Sequence, residues 1–427
     1  MEQKTPDVLR AEFWEKDIAG GGIIYNQYSE IKRVLQTRDM DWVRARYEDL
    51  RRHAIAHTEF YKNYSMQDEF PVVNKLSLLA DKERHTARDG FQHPIHISST
   101  SGSTGTPFSV VQDYKKRNRT IADLKVFGEL CDYPSHERMV FFRVLSEKLK
   151  RSPEQERREN IFYIDSSDLG DAHLNEMYRT IVEKQPRIVF SYPSTLVELA
   201  KYIVRAELDT SVFTMRSVLT AGEGVSPENR ELLTKVFGCP LYRRYSNMEM
   251  GILGQDSGDG GAYSLNWGSY YFECLKLDLD ELAEVGETGR IVVTDLFNYA
   301  FPMIRYDTGD LGQMEPAADG GWPCLKTVLG RARDCVYTVD GRMIAPAKIF
   351  VTMWGAEKIK QWQFIQEDRD HYTLKLNADP NEDYTAVLEK LRAVLGQNAM
   401  IQTVFVDEIP VTASNKRRAV ICNYNKQ

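Results

Sequence analysis

Apolar and polar positions follow two rhythms along this chain. Up to about residue 90, apolar residues recur every three or four positions among charges, over 28–36 and 40–61, which predicts helices. Phe70-Pro71 breaks that pattern, because the residue before a proline is pushed out of the helical region. From Ile95 onward, short apolar runs alternate with helix-period segments. Residues 139–144, 188–191 and 218–220 read as strands. Residues 175–183, 194–206 and 227–237 read as helices between them, the last with Ser226 as N-cap. This alternation predicts an α/β sheet with crossover connections.

After Tyr245 a period of two takes over. Residues 270–279 and 289–294 alternate like antiparallel strands, with Gly286-Glu287-Thr288-Gly289 as the turn between them. Past Gly330, strands at 336–339, 361–366, 372–377 and 403–406 and a helix at 383–395 predict a small α+β unit. The expected architecture is α/β: a large N-terminal domain with mixed sheets and a helical opening over 1–329, and a small C-terminal domain over 330–427.

With 427 residues the chain has ample core for one large or two unequal domains. Its net charge of -7 argues against nucleic acid or anionic membrane as a partner, since either favours a basic face. The charge-rich run 148–158 is interrupted by acids and reads as a solvated loop or helix face. No window approaches the roughly 20 apolar residues that span a bilayer, and no apolar stretch follows a basic start. A cytoplasmic protein is therefore expected. The six cysteines are scattered without a C-x-x-C pair, which points to free thiols rather than disulfides or a zinc site.

The richest candidate chemistry is the run Ser98-Ser99-Thr100-Ser101-Gly102-Ser103-Thr104-Gly105-Thr106-Pro107. Hydroxyls and glycines alternate there, so backbone N–H groups and side-chain hydroxyls can close on a phosphate chain. Apolar residues at alternate positions over 92–97 and the run 109–111 make it the connection between two strands. No Lys-Ser or Lys-Thr follows Gly105, so the Walker pattern is missing.

Further segments follow in fixed order: Tyr245-Ser246-Asn247-Met248-Glu249, Arg305-Tyr306-Asp307-Thr308-Gly309-Asp310, Gly330-Arg331-Ala332-Arg333-Asp334, and Pro410 to Arg418 near the end. The ordered set resembles the adenylate-forming superfamily of acyl-CoA synthetases, adenylation domains and luciferases. Within it, Thr-Ser-Gly-Ser-Thr-Gly-Thr-Pro and the early Phe70-Pro71-Val72-Val73-Asn74-Lys75 look most like the phenylacetate-CoA ligase group and its CapK-like branch. The resemblance runs from about Trp42 to the end.

That resemblance implies an ATP-dependent, Mg2+-requiring ligase that activates a small carboxylic acid as an acyl-adenylate. It assigns the β- and γ-phosphates to Ser101, Gly102, Ser103, Thr104 and Gly105, although Thr106 and Phe108 stand where relatives often carry a lysine. It makes Glu249 the Mg2+ ligand, sets Tyr245 beside the adenine and lines the purine with Gly222, Glu223 and Gly224. Asp310 closes a tight Gly turn, where an ionised carboxyl can accept from both ribose hydroxyls. Arg331 reaches the ribose or phosphate, whereas Arg305 braces its loop.

Lys416 takes the place of the near-terminal catalytic lysine, with Asn415 where Gly is usual. The small domain is implied to be mobile, hinged at Arg333 and Asp334, and to build a tunnel for coenzyme A. No zinc is expected after the Tyr-to-Glu segment, which lacks a Cys/His cluster. Tyr192, Trp267 and Tyr270 are candidates to line an acyl or aryl pocket. The alternatives are a carrier protein, amine or hydroxyl as acceptor, or a nucleotide-binding protein without catalysis. A homodimer is left open.

Overall fold

The computed structural model describes residues 4–99, 108–145, 150–317, 320–331, 336–344, 349, 352–353, 359–409 and 419–424. Helices α1 (Pro6–Ala19), α2 (Ile23–Thr37) and α3 (Met40–His57) open the chain. Strand β1 (Val73–Asn74), helices α4 (Lys75–Ala80) and α5 (Lys82–His85), and a hairpin of β2 (His96–Ser99) and β3 (Ser109–Gln112) lead into α6 (Tyr114–Glu129). Then follow β4 (Met139–Arg143), α7 (Pro153–Glu159), β5 (Ile161–Asp165), α8 (Asp171–Lys184), β6 (Ile188–Ser191), α9 (Pro193–Arg205), β7 (Ser217–Ala221), α10 (Pro227–Phe237), β8 (Leu241–Asn247) and β9 (Gly251–Gln255).

Strands dominate the next stretch: β10 (Ser264–Leu265), β11 (Tyr270–Leu275), β12 (Thr288–Asp295), β13 (Tyr306–Pro316) and β14 (Pro323–Arg331). The chain continues with β15 (Val336–Tyr337), β16 (Met343–Ile344), β17 (Ile359–Gln366), β18 (His371–Ala378), α11 (Thr385–Leu395), β19 (Met400–Phe405) and β20 (Val420–Cys422). Two compact units result: Met1–Thr308 with Gln313–Thr327, and Gly309–Gly312 with Val328–Gln427.

In the first unit, a seven-stranded sheet runs in the order β10-β9-β8-β7-β6-β4-β5. Strands β5, β4, β6, β7 and β8 are parallel, and β9 and β10 extend the edge antiparallel. The strands are apolar runs because helices cover them: Val140, Phe142, Val189, Leu196, Ile203 and Leu241 share one core. Each such side chain contributes roughly 1.5–3 kcal/mol on burial. Ser226 caps α10 by accepting from the Asn229 N–H at 3.2 Å. Of the charge-rich run 148–158, residues 153–158 belong to α7, none of whose residues is buried. A second sheet, β1-β13-β12-β11 with β14 on β13, places β1 parallel to β13 with Val73 opposite Tyr306. In the second unit, the sheet β19-β18-β17-β20 packs Phe364, Leu374 and Leu376 against Leu391 and Leu395 of α11.

Two elements depart from the sequence reading. Strand β11 stops at Leu275, short of 279, because the Lys276 N–H donates to the Glu281 carbonyl at 2.9 Å and turns the chain. Helix α6 has only a short apolar patch, Ala122, Val126 and Phe127, in its second half, and the rest of its buried face is polar: Lys116, Asn118, Arg119 and Asp123. These charges are paired inside: Lys116 with Asp295 at 2.8 Å, Arg119 with Glu30 at 2.7 Å, and Asp123 with Asn266 and Ser269 at 2.9 and 2.7 Å. Cys131, Cys239, Cys274 and Cys324 are buried free thiols, and Cys335 lies outside the described residues. No helix among the described residues is long and apolar enough to cross a membrane.

His85, fully buried at the end of α5, carries a pH dependence. Its ring stacks on Phe60 at 3.8 Å and meets Tyr61 edge-on, and among the described residues neither nitrogen has a partner. Burial lowers its pKa from 6.5 to about 4, so the fold favours the neutral ring. The unfolded chain takes the proton first as pH falls; this stabilisation is complete above pH 6.5 and is lost progressively toward pH 4. The loss amounts to about 3 kcal/mol, at about 1.4 per pKa unit. Urea unfolding at several pH values should show that slope in the wild type and a flatter one in His85→Phe. Identical slopes would remove His85 from the acid response.

Candidate active site

Two of the motif segments lie at carboxyl-terminal ends of parallel strands: Gly222–Gly224 follows β7, and Tyr245–Glu249 closes β8. The β2–β3 hairpin frames residues 100–107, so Ser101, Gly102, Ser103, Thr104 and Gly105 lie outside the described residues while both their flanking strands are placed. Each strand is tied to the turn after β8. Ser98 Oγ donates to the Met248 carbonyl at 2.8 Å, and Gln112 Nε2 donates to the Glu249 carbonyl at 3.3 Å. The turn itself is closed by Asn247, whose Oδ1 accepts from the Met250 N–H at 2.8 Å. Glu249 is half-buried on it, and no described residue pairs with its carboxylate.

Tyr245 is buried near the end of β8, and its hydroxyl lies 3.4 Å from Thr308 Oγ1, across 63 residues of sequence. Thr308 in turn donates to the Ile291 carbonyl at 2.8 Å. Gly222 follows β7 with φ +83°, a conformation that suits a residue without Cβ, and a Cβ on Gly224 would meet nothing within 4 Å. Glu223 between them is engaged: its carboxylate accepts from Ser194 N–H at 3.0 Å and Ser194 Oγ at 3.1 Å. It therefore caps the first turn of α9, where a negative charge is favoured by the helix dipole. Tyr192 precedes that helix, half-buried, with its phenol pKa raised by burial.

Asp310 lies in β13 directly after Gly309, whose φ is +75°. The backbone leading to it is held hard. Arg305 adopts a left-handed φ of +51°, which costs a side-chain-bearing residue roughly 1–2 kcal/mol. Its guanidinium is locked by Glu69 at 2.5 Å, Glu273 at 3.2 Å and the Phe70 carbonyl at 2.9 Å, while its N–H donates to Thr294 Oγ1 at 2.9 Å. Burial raises the Glu273 pKa, and Arg305 opposes that rise. Asp307 is bound to Arg290 at 2.9 Å. Arg331 ends β14; Arg333, Asp334 and Lys416 lie outside the described residues.

The structure places Trp267 and Tyr270 in the core. Trp267 Nε1 donates to the Pro323 carbonyl at 3.0 Å and packs edge-on against Phe272 and Trp322. Tyr270, fully buried, donates its hydroxyl proton to the Met250 carbonyl at 2.6 Å and accepts from Lys116 Nζ at 3.0 Å. Lys116, Tyr270 and Asp295 thus anchor the residue after Glu249. Sequence reasoning missed Lys116 and Asp295, because a buried ion pair leaves no periodic signal in either segment.

Residues 336–423 match the CapK C-terminal domain family. The chain is 21% identical over 422 residues to Protein CapK of Staphylococcus aureus, covering 93% of this chain and 92% of that one. It is 25% identical over 231 residues to phenylacetate-coenzyme A ligase of Pseudomonas putida, covering 53% of this chain and 50% of that enzyme. Among solved structures, 2-hydroxyisobutyryl-CoA ligase in the postadenylation state with R3-HIB-AMP superposes with a TM-score of 0.71 at 16% identity, over 89% of this chain and 88% of that one. ATP-bound MatB from Rhodopseudomonas palustris superposes with a TM-score of 0.56 at 18% identity, over 75% of this chain and 65% of that one. Fold, motif order and relatives support an adenylate-forming superfamily for this chain. Within it, the chain is CapK-like.

Proposed function

We propose that the chain is an ATP-dependent ligase that joins a small carboxylic acid to AMP and passes the acyl group to the thiol of coenzyme A. The observation that supports this most is the pinning of both hairpin strands to the carbonyls of Met248 and Glu249. It brings the ends of the hydroxyl- and glycine-rich segment and a carboxylate that pairs with no described residue to one end of a parallel sheet, where α/β folds bind ligands. In this reading Ser101, Ser103 and Thr104 donate to the β- and γ-phosphates, and Gly102 and Gly105 let the backbone approach. Tyr245 and the Gly222–Gly224 segment flank the adenine, with Glu223 fixing that segment on α9. Asp310 accepts from the ribose hydroxyls and Arg331 reaches the ribose or phosphate. Tyr192 lies toward the carboxylic acid.

The residues present fit Mg2+. The half-buried Glu249 is a single carboxylate, which suits a hard ion that keeps phosphate oxygens and waters as its other ligands. Glu249 would hold it, and the bound ion would share charge on the phosphates. A carboxylate oxygen attacks the α-phosphorus, the bond to the bridging oxygen breaks, and pyrophosphate leaves with that electron pair. The Lys416 ammonium offsets both anions as they meet. In the second step the thiol, its proton lost to solvent, attacks the acyl carbon and AMP departs with the C–O pair. The domain over 330–427 would swing about Arg333 and Asp334 between the steps.

Pyrophosphate release with a panel of carboxylic acids, followed by addition of coenzyme A, tests this. Release without transfer to coenzyme A would favour a carrier-protein, amine or hydroxyl acceptor. ATP binding without release for any acid would favour a non-catalytic nucleotide-binding protein. A second expected result concerns Asp310→Ala, which removes a charged acceptor from both ribose hydroxyls. It should weaken ATP binding by about 2 kcal/mol, or roughly 30-fold, measured by calorimetry. Unchanged affinity would exclude the ribose role.

A further inference from the structure

The amino-terminal edge of the seven-stranded sheet, opposite the site above, carries an arrangement that site does not use. The residue directly before each of three neighbouring parallel strands is an arginine: Arg138 before β4, Arg187 before β6 and Arg216 before β7. The ladder extends to them, because the Arg187 N–H donates to the Arg138 carbonyl at 2.8 Å and the Arg216 N–H to the Arg187 carbonyl at 2.7 Å. Their registers agree, since Met139 pairs with Ile188 and Ile188 with Ser217. Equivalent positions on adjacent strands project to one face. All three arginines line one cavity of about 280 Å³, together with Glu137, Gln185 and Pro6, the first residue of α1.

The charges there are incompletely balanced. Arg187 is held by Asp132, through Nε to its carbonyl at 2.7 Å and a terminal nitrogen to Oδ1 at 2.6 Å. Glu137, the acid on the cavity wall, lies 3.4 Å from Arg10. Arg138 donates one terminal nitrogen to the Lys184 carbonyl at 2.6 Å, but among the described residues its buried Nε–H has no acceptor and no carboxylate pairs with it. Arg216 is exposed, and its side chain makes no hydrogen bond or ion pair with any described residue. Among the described residues Arg138 and Arg216 have no counter-ion, and their strands lie on either side of that of Arg187 at spacings of roughly 5 Å. Like charges so placed repel, and a buried unpaired N–H is costly. Pro6 opens the 14-residue α1, whose first turn carries Asp7, paired with Arg10 at 3.0 Å.

We propose that this edge is a binding site for a small phosphate-bearing anion of orthophosphate or pyrophosphate size. Planar guanidinium forks match phosphate oxygens, and the cavity is at the lower limit for small-molecule pockets, roughly 300 Å³, which is tight for a whole nucleotide. The inference stands independently of the chemistry assigned to the opposite edge. Calorimetric titrations of pyrophosphate, inorganic phosphate and ATP into the full chain test it, using the wild type, Arg216→Ala and Arg216→Lys. Because the Arg216 side chain has no partner among the described residues, its removal should leave the melting temperature unchanged in buffer without phosphate.

The expected result is millimolar or tighter pyrophosphate or phosphate binding by the wild type, weakened about tenfold or more in Arg216→Ala and largely kept in Arg216→Lys, with ATP affinity unaltered. Equal anion affinity in Arg216→Ala and the wild type would overturn the site, as would no binding by the wild type at millimolar concentrations. A parallel loss of ATP affinity in Arg216→Ala would assign the edge to the nucleotide's phosphates and overturn the small-anion reading.

Discussion

Lys116→Met should lower the stability of the chain by about 3–5 kcal/mol, the cost of leaving a buried charge without its partner. Lys116 and Asp295 are both fully buried and face each other at 2.8 Å, and the same ammonium donates to the Tyr270 hydroxyl. Taking the lysine away strands the Asp295 carboxylate where water cannot reach it. The double variant Lys116→Met/Asp295→Leu should recover much of the loss, because an apolar pair of similar volume replaces an ion pair at little cost. Urea midpoints of the two variants decide the matter. A single-variant loss below about 1 kcal/mol, or a double variant no more stable than the single, would show that the pair does not hold this core. A folded single variant should also adenylate poorly, since Tyr270 fixes the Met250 carbonyl beside Glu249.

The second large effect is expected at Lys416. Lys416→Ala should reduce acyl-adenylate formation on the order of 100- to 1000-fold, the usual loss when one oriented donor to a developing anion is removed. The same variant should still transfer the acyl group of a supplied acyl-adenylate to coenzyme A, because that step develops its charge elsewhere. Pyrophosphate release reports the first half-reaction and thioester formation the second. Equal losses in both would contradict a role confined to adenylation.

Much of the fold is written locally. The strand at 188–191 and the helix at 227–237 with Ser226 as its cap were legible because an apolar run flanked by turns, and a hydroxyl three residues before a free N–H, specify themselves without distant partners. The hairpin around 100–107 was legible for a similar reason, as alternation on either side of a glycine-rich turn predicts paired strands. Helix α1 and helix α6 were not. In α6 much of the buried face is charged, and what makes Lys116, Arg119 and Asp123 acceptable inside are Asp295, Glu30, Asn266 and Ser269, which arrive from other segments.

The candidate site divides along the same line. Sequence order alone singled out the segments at Tyr245, Glu249 and Asp310, because short-range chemistry such as a carboxylate behind a glycine turn is visible in a few residues. Only tertiary structure decided which of these polar atoms are engaged and which are open. It gave the Glu223 carboxylate to the start of α9, sank Trp267 and Tyr270 into the core, and tied Ser98 and Gln112 to the Glu249 turn. It also aligned Arg138, Arg187 and Arg216, which lie far apart in the chain and share nothing until three strands pair in parallel. The physical reason is range: turns, caps and amphipathic periods are set by neighbours in sequence, whereas burial and charge pairing depend on what folding brings within a few ångströms.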